Sequence, residues 1–169
     1  MVVRSFEGVE PEIADSAYVD DAAVVIGDVE IGPEASVWPN TTLRGDHGPL
    51  VVGEGANVQD GAILHETVEI EPYATIGHTA IVHNCVVEER AMVGMGAVVL
   101  DDAVVGARSL VGAGSVVTEG TAVPAETLVA GTPAEVINEV DPEDSVWTEA
   151  GDRYVELSRR HMADSERID

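Results

Sequence analysis

Three histidines in the middle of the chain, His65, His78 and His83, are the residues whose type and spacing could do chemistry. Neutral imidazole binds zinc and other divalent cations through a ring nitrogen. His65 and His83 are 18 residues apart, and each directly follows an aliphatic residue, Leu64 or Val82. This shared setting predicts that the two rings lie on the same side of neighbouring structural repeats, where both could bind one metal ion at about 2.0–2.1 Å.

A six-residue repeat supplies the elements that must position these rings. Aliphatic residues recur at every sixth position, with one step of nine residues across the loop 45–49 and one step of five residues after Val82. The positions are Ile13, Val19, Val25, Ile31, Val37, Leu43, Val52, Val58, Leu64, Ile70, Ile76, Val82, Val87, Val93, Val99, Val105, Val111, Val117, Val123 and Val129. Alanine or serine often stands two positions before the aliphatic residue, and glycine often follows it.

A period of six matches neither an α-helix nor a long flat strand. It indicates an all-β solenoid in which each hexapeptide forms one short strand and one corner, with three hexapeptides in each triangular coil. Neighbouring coils of such a parallel β-helix lie about 4.8 Å apart. The repeat predicts this fold for residues 1–137, followed by a C-terminal amphipathic α-helix and tail over residues 138–169.

The C-terminal segment changes to a helical period. Asp141 is expected to cap the helix, with Pro142 at its first position. The stripe predicted to face the solenoid or a neighbouring chain consists of Val146, Ala150, Tyr154, Leu157 and His161.

His78 stands two residues after Ile76 and belongs to an earlier hexapeptide than His83. We therefore expect it at a different side or corner of the coil, where it cannot easily join the histidine pair of its own chain. It could join the pair of an adjacent chain. A threefold homotrimer would then have one shared metal site at each of three interfaces.

A second group of polar residues precedes the first histidine. Arg44 and Asp46 alternate on one strand end and are predicted to form an ion pair across a subunit interface. Gln59 is expected one coil below the metal, where it could hydrogen-bond a metal-bound hydroxide. Asp60 could orient that hydroxide or a ligand imidazole, and Asn57 could act with them or simply close a solenoid corner.

Three further residues are given no part in the chemistry. His47 lies in the loop that interrupts the repeat, and His161 lies on the helical stripe, so surface or packing roles are expected. Cys85 could be a fourth metal ligand, but packing of a small residue in the core is the better interpretation. A single cysteine excludes an internal disulfide and suits a reducing compartment.

The charge of the chain limits its partners. The net charge is −24, from 32 acidic and 8 basic residues, and every basic residue is arginine. Such a surface repels nucleic acid and anionic membranes, so neither is an expected partner. It is typical of a cytoplasmic protein from a salt-accumulating halophile, because salt near 1 M shortens the Debye length to about 3 Å. No apolar run has the length of a signal peptide or a membrane span, which also favours a cytoplasmic location.

Several motifs together resemble the γ-class carbonic anhydrases. They are RGD at residues 44–46, GEGANVQD at residues 53–60, His65, and IGHTAIVH at residues 76–83 with Cys85 behind it. The resemblance covers residues from about 10 to 160. It implies a left-handed β-helix that assembles as a homotrimer and hydrates carbon dioxide reversibly to bicarbonate. His65, His78 and His83 match the family's metal ligands, two from one subunit and one from the next.

The same resemblance assigns the neighbouring polar residues. Arg44 and Asp46 match the interface ion pair, and Gln59 and Asp60 match residues that order the hydroxide and bicarbonate. Zinc is the metal most expected at this centre, and iron, cobalt or nickel also suit imidazole ligands.

The sequence departs from the family pattern at three places. Ala56 stands where relatives usually have threonine, and Asn84 stands where they usually have glycine, although asparagine tolerates left-handed backbone. The acidic loop that carries a glutamate proton shuttle in the best-studied branch is missing. Glu66, next to His65, could replace that shuttle.

Two other functions are compatible with this architecture. A hexapeptide acyltransferase or thioesterase acting on an acyl-coenzyme A would use one histidine as a general base. It would need a groove for a polyanionic cofactor, which a solenoid without lysine and with few arginines supplies poorly. A non-catalytic trimeric scaffold would instead use the metal only to stabilise its assembly.

Overall fold

The computed structural model describes residues 1–141, 143, 145–166 and 168. In that part of the chain it confirms the predicted fold, a left-handed parallel β-solenoid of about seven turns followed by one α-helix. The strands are β1 (Val2–Arg4), β2 (Glu12–Ile13), β3 (Tyr18–Val19), β4 (Val24–Ile31), β5 (Ser36–Val37), β6 (Thr42–Val52), β7 (Asn57–Val58), β8 (Ile63–His65), β9 (Val68–Ile70), β10 (Thr75–Ile76), β11 (Ile81–His83), β12 (Val86–Val87), β13 (Met92–Val93), β14 (Val98–Val99), β15 (Val104–Val105), β16 (Leu110–Val111), β17 (Val116–Val117), β18 (Ala122–Val123), β19 (Thr127–Gly131) and β20 (Ala134–Glu139), and the helix is α1 (Ala150–Asp164). None of the described helical residues forms a segment both long and apolar enough to cross a membrane.

The strands form three faces that follow one another in each coil. The first face carries β8, β11, β14 and β17, the second carries β9, β12, β15 and β18, and the third carries β3, β5, β7, β10, β13, β16 and β19. The long strand β6 runs along two faces, because its residues 42–44 pair with β8 and its residues 50–52 pair with β9. Strand β20 ends the sheet of the third face by pairing antiparallel with β19.

The aliphatic positions of the repeat form one continuous core. Every repeat position from Val25 to Val129 is buried, whereas Ile13 and Val19 at the first coil are only partly buried. Full burial of a valine, leucine or isoleucine side chain contributes about 1.5–3 kcal/mol, so this stack is the main source of stability. Equivalent residues of successive coils pair directly, as Leu64 and Val99 do on either side of Val82.

The C-terminal helix begins later than its sequence suggests. Asp141 Oδ1 accepts the N–H of Glu143 at 2.9 Å and so caps a turn, while α1 starts at Ala150. Pro142, the expected first helical residue, lies outside the described residues. Val146 belongs to the turns before the helix and is 65% exposed, so it is not part of the buried stripe.

The face of α1 that meets the solenoid depends on a glycine. Gly151, Val155 and Ser158 are the buried residues of the helix. A Cβ atom at Gly151 would lie 2.5 Å from the carbonyl oxygen of Tyr73, so the helix backbone itself packs against that residue. Because this contact joins distant parts of the sequence, the helical period alone did not indicate it.

Aromatic and ionic contacts hold the rest of α1 in place. The rings of Tyr154 and His161 pack edge-on against Trp38, with centroids 5.4 and 5.1 Å away. Arg90 Nη1 donates to Asp152 at 2.6 Å, and Arg159 forms an ion pair with Glu34. The contact between His161 and Trp38 agrees with the packing role expected for that histidine.

Replacing Gly151 with alanine tests the close contact of the helix. Alanine favours a helix over glycine by about 1 kcal/mol, so propensity alone predicts a more stable α1. We expect the opposite, because crowding against Tyr73 costs about 1–3 kcal/mol. Hydrogen–deuterium exchange over residues 150–164 should accelerate by roughly tenfold.

The matched control for this substitution is Glu156→Ala, which changes an exposed residue of the same helix. It should leave the exchange rate of the helix nearly unchanged. Slower exchange in Gly151→Ala than in the parent protein would contradict the contact.

Candidate metal centre

His65 and His83 stand at the ends of two paired strands. Each is the last residue of its strand, β8 or β11, and the strand register places His83 opposite His65. Successive side chains of a strand point to opposite faces. Because Leu64 and Val82 point into the core, both imidazoles point outward. The ring centroids are 5.1 Å apart, and Nδ1 of His65 lies 3.2 Å from Nε2 of His83. The two rings therefore share one place, as their spacing predicts.

The contacts of His65 indicate which of its nitrogens carries the proton. Arg44 Nη2 lies 3.2 Å from Nδ1, and a guanidinium can only donate, so Nδ1 accepts. The proton then lies on Nε2, which donates to Asp46 Oδ1 at 3.2 Å. In this tautomer the lone pair of Nδ1 faces the second histidine.

Asp46 is held as a carboxylate between two donors. Burial of the side chain favours the neutral acid, but the positive charge of Arg44 and the hydrogen bond from His65 outweigh it and lower the pKa of Asp46. Arg44 Nη1 is 3.6 Å from Asp46 Oδ2, and both residues belong to β6. The predicted ion pair is thus made within one chain, and its place at an interface stays a prediction.

His83 contacts a carboxylate that the sequence did not single out. Its Nδ1 lies 2.5 Å from Asp101 Oδ1. The sequence did not indicate this contact because the step of five residues after Val82 breaks the 18-residue spacing. The step shortens this coil to 17 residues and pairs Val82 with Val99. Leu100 therefore takes the position in its coil that His83 has in the coil before, and Asp101 begins the next corner.

The donor atoms at this place fit a divalent metal ion. Two ring nitrogens 3.2 Å apart are close enough for both to bind one zinc ion at its usual distance of about 2.0–2.1 Å. A carboxylate oxygen of Glu66 lies within 4.8 Å of ligand nitrogens of both histidines. Arg44 contacts the lone pair of His65, so metal binding there requires its half-exposed guanidinium to turn away.

His78 lies at a different corner of the solenoid. It follows β10 on the third face and precedes β11 on the first, whereas the paired histidines end their strands on the first face. Its Nδ1 is 3.0 Å from Asp60 Oδ2, and its side chain is 43% exposed. The two groups of possible metal ligands among the described residues do not include it. The chain therefore brings two of the three predicted ligands together and directs the third elsewhere.

Asn57, Gln59 and Asp60 lie on the side of His78, not beside the histidine pair. Asn57 and Gln59 are buried, and Gln59 Nε2 donates to Asn57 Oδ1 at 3.1 Å. Asn57 Nδ2 in turn donates to Thr75 Oγ1 at 2.8 Å, because β7 and β10 are neighbours on the third face. Gln59 therefore lies away from the histidine pair of its own chain, whereas Asp60 contacts the predicted ligand His78, which agrees with its expected role of orienting a ligand imidazole.

His47 approaches the site although its sequence position gave no reason to expect it. Its ring centroid lies 5.5 Å from that of His65, and its Nδ1 is 3.7 Å from Glu66 Oε1. Residues 45–49, expected to form a loop because they interrupt the repeat, are instead part of the long strand β6, and the exposed ring of His47 projects from it towards Glu66. Asp46, His47 and His65 form a second group of closely spaced ligand atoms.

Cys85 belongs to the core, in agreement with its expected packing role. Burial raises the pKa of the Cys85 thiol to about 12, so the thiol stays protonated near neutral pH. A metal ligand or nucleophile would have to be the thiolate.

Comparisons with known proteins place this chain among hexapeptide-repeat proteins. Residues 84–119 match the family described as bacterial transferase hexapeptide (six repeats). A protein named carbonic anhydrase from Geobacillus kaustophilus (strain HTA426) is 42% identical over 167 residues, which are 96% of this chain and 92% of that protein. The carnitine operon protein CaiE from Proteus sp. (strain LE138) is 37% identical over 165 residues, which are 95% of this chain and 84% of that protein.

A solved structure of a related protein is also similar over nearly its whole length. The crystal structure of a hexapeptide transferase family protein from Anaplasma phagocytophilum superimposes with a TM-score of 0.90 at 38% identity. The match covers 94% of this chain and 96% of that one.

The protonated state of Cys85 can be tested with a thiol reagent. Because the pKa is raised, the thiolate fraction of the folded protein stays negligible until the pH approaches about 12. We expect a disulfide reagent at pH 8 to leave Cys85 unmodified in the folded protein. The urea-unfolded chain, whose thiol has the ordinary pKa of about 8.5, should react completely. Reaction of the folded protein at the rate of the unfolded chain would disprove the burial.

Proposed function

We propose that this chain, which belongs to the hexapeptide-repeat protein family, is a carbonic-anhydrase-like metalloenzyme. Its proposed reaction is the reversible hydration of carbon dioxide to bicarbonate. The observation that carries this proposal is the histidine pair. Two imidazole nitrogens face one another at 3.2 Å, and the opposite nitrogen of each ring contacts a carboxylate. This arrangement is typical of histidines that bind a metal. The 42% identity to a protein named carbonic anhydrase supports the same activity.

The proposed centre is shared between chains of a homotrimer. His65 and His83 of one chain would hold a divalent metal together with His78 of the next chain. The histidine pair and His78 lie at opposite edges of the first face. Between them the outward residues Ile63 and Ile81 are apolar and about 40% exposed. An apolar face of this kind is suited to contact with another copy of the chain.

The chemistry needs a nucleophile, a substrate site and a path for one proton. A bound divalent cation lowers the pKa of a water molecule from about 15.7 to near 7, which supplies the nucleophile at neutral pH. Addition of the water oxygen to carbon dioxide yields bicarbonate and releases one proton. Zinc is the proposed metal, with iron, cobalt or nickel as chemically suitable substitutes.

The residues of the chain have distinct parts in this proposal. Asp46 fixes the tautomer of His65, and Asp60 does the same for His78 from one coil below. Gln59 lies on the His78 side, so it would reach the substrate at the centre that His78 completes in a neighbouring chain. Glu66 is the proposed proton acceptor, because its carboxylate lies next to the pair and also contacts the exposed His47.

Replacing His83 with alanine tests the centre directly. We expect metal content, measured by mass spectrometry, to fall from about one ion per chain to less than a tenth of that. Oxygen-isotope exchange between carbon dioxide and water should fall to the uncatalysed rate. Both measurements belong in molar salt, because a surface with a net charge of −24 is screened there.

The control histidine is His161, which packs against Trp38 on the helix side. His161→Gln should keep the full metal content. If His83→Ala also kept it, His83 would not be a ligand.

Mixing two inactive variants tests whether the site is shared. Chains with His78→Ala keep the pair, and chains with His83→Ala keep His78. In an equal random mixture, roughly a quarter of the interfaces of a cyclic trimer combine the intact residues of both chains. Isotope exchange should recover to about a quarter of the parent rate. If all three histidines acted within one chain, the mixture would stay inactive.

One observation supports acyl transfer as a second candidate. A recess of about 320 Å³ opens beside His83, and its lining includes the apolar side chains of Ile81 and Leu100. Such a recess could receive an acyl chain, and the family match is to bacterial transferases. Hydrolysis or transfer from an acyl-coenzyme A without isotope exchange would favour this function. Metal binding without either activity would favour a non-catalytic scaffold.

A further inference from the structure

We infer that Asp101 is a positioning residue for His83: its carboxylate fixes the tautomer of that imidazole so that Nε2 is free to bind metal. This inference rests on the proposed metal centre and extends it by one residue. It rests on the contact between His83 Nδ1 and Asp101 Oδ1.

The contact determines the state of the ring. An ionised carboxylate can only accept, so Nδ1 of His83 must be the donor. In the neutral ring Nε2 then carries the lone pair, and Nε2 is the atom that faces His65 at 3.2 Å. Without the carboxylate the proton could move to Nε2, and that lone pair would be lost.

The other two histidines make the same kind of contact. His65 Nε2 contacts Asp46, and His78 Nδ1 contacts Asp60. In each case one ring nitrogen meets a carboxylate and the other faces away from it, although Nδ1 of His65 is contacted by Arg44 until that guanidinium turns away. Asp101 gives His83 the equivalent partner, and it does so from the corner one coil further along the solenoid.

The side chain of Asp101 is available for this role because the core does not need it. It is 42% exposed, whereas Ala103, two residues later, is buried in the core. Substitution of Asp101 should therefore change the ring of His83 without unfolding the coil.

Two substitutions of Asp101 separate hydrogen bonding from charge. Asp101→Ala removes the acceptor, and Asp101→Asn keeps a carbonyl acceptor without the charge. Asp102→Asn is the matched control, because this neighbouring carboxylate is exposed and its backbone has φ 58°, which asparagine tolerates. Each protein is compared with the parent in molar salt.

Zinc affinity is the first measurement, made by competition with a chromophoric chelator. We expect Asp101→Ala to raise the zinc dissociation constant roughly 10–100-fold, the usual effect of removing such a partner. Asp101→Asn should recover part of the loss, and Asp102→Asn should match the parent protein.

The tautomer of His83 is the second measurement, made on the metal-free protein by long-range proton–nitrogen NMR. The signals of His83 are identified by their absence in His83→Ala. The parent and Asp101→Asn should carry the proton on Nδ1, and Asp101→Ala should lose this preference. These signals do not depend on catalysis.

Unchanged zinc affinity or an unchanged tautomer in Asp101→Ala would overturn the positioning role. A failure of the proposed reaction would give a different result. If the zinc-loaded parent showed no isotope exchange while Asp101→Ala still lost affinity, the positioning role would stand and carbon dioxide hydration would not.

Discussion

The stacking of successive coils in register is the constraint on which the rest of this structure depends. Each coil hydrogen-bonds to the next along parallel strands, and the same aliphatic positions meet in the core at every level. A slip of one residue would turn Leu64 outward and His65 inward, at the cost of the core. Burial of Leu64 and Val82 therefore also sets the distance between the two imidazoles. Stability and site geometry share one cause.

Carboxylates are abundant on this chain, but only some of them are placed to affect the histidines. With a net charge of −24, most acidic side chains are simply solvated. Asp46, Asp60 and Asp101 differ because each contacts a ring nitrogen of one of the three proposed metal ligands. The field of the acidic surface is general and is weakened by salt, whereas these contacts are local and directional. Arg44 adds a positive charge that keeps Asp46 ionised.

Sequence reasoning succeeded where structure follows a local period. The six-residue repeat predicted the solenoid, its core positions and the stacking of His65 on His83, because one coil of 18 residues separates them. It also placed Cys85 in the core.

It failed where the period breaks or where distant segments meet. The coil after Val82 has 17 residues, so the position of Asp101 relative to His83 was not evident. The segment of β6 that brings His47 to Glu66 lies outside the repeat. The start of α1 against Tyr73 depends on a contact that no periodic pattern encodes.

The ion pair between Arg159 and Glu34 joins residues 125 positions apart and ties the last helix to one of the earliest coils. Solenoids usually fold by adding one repeat to the next, and their ends fray independently. Here the early coils emerge from the ribosome before α1, the helix that packs against them. Until translation reaches α1, Trp38 lacks the partners that later cover it. The nascent chain thus has an incomplete flank until α1 is made and packs against it.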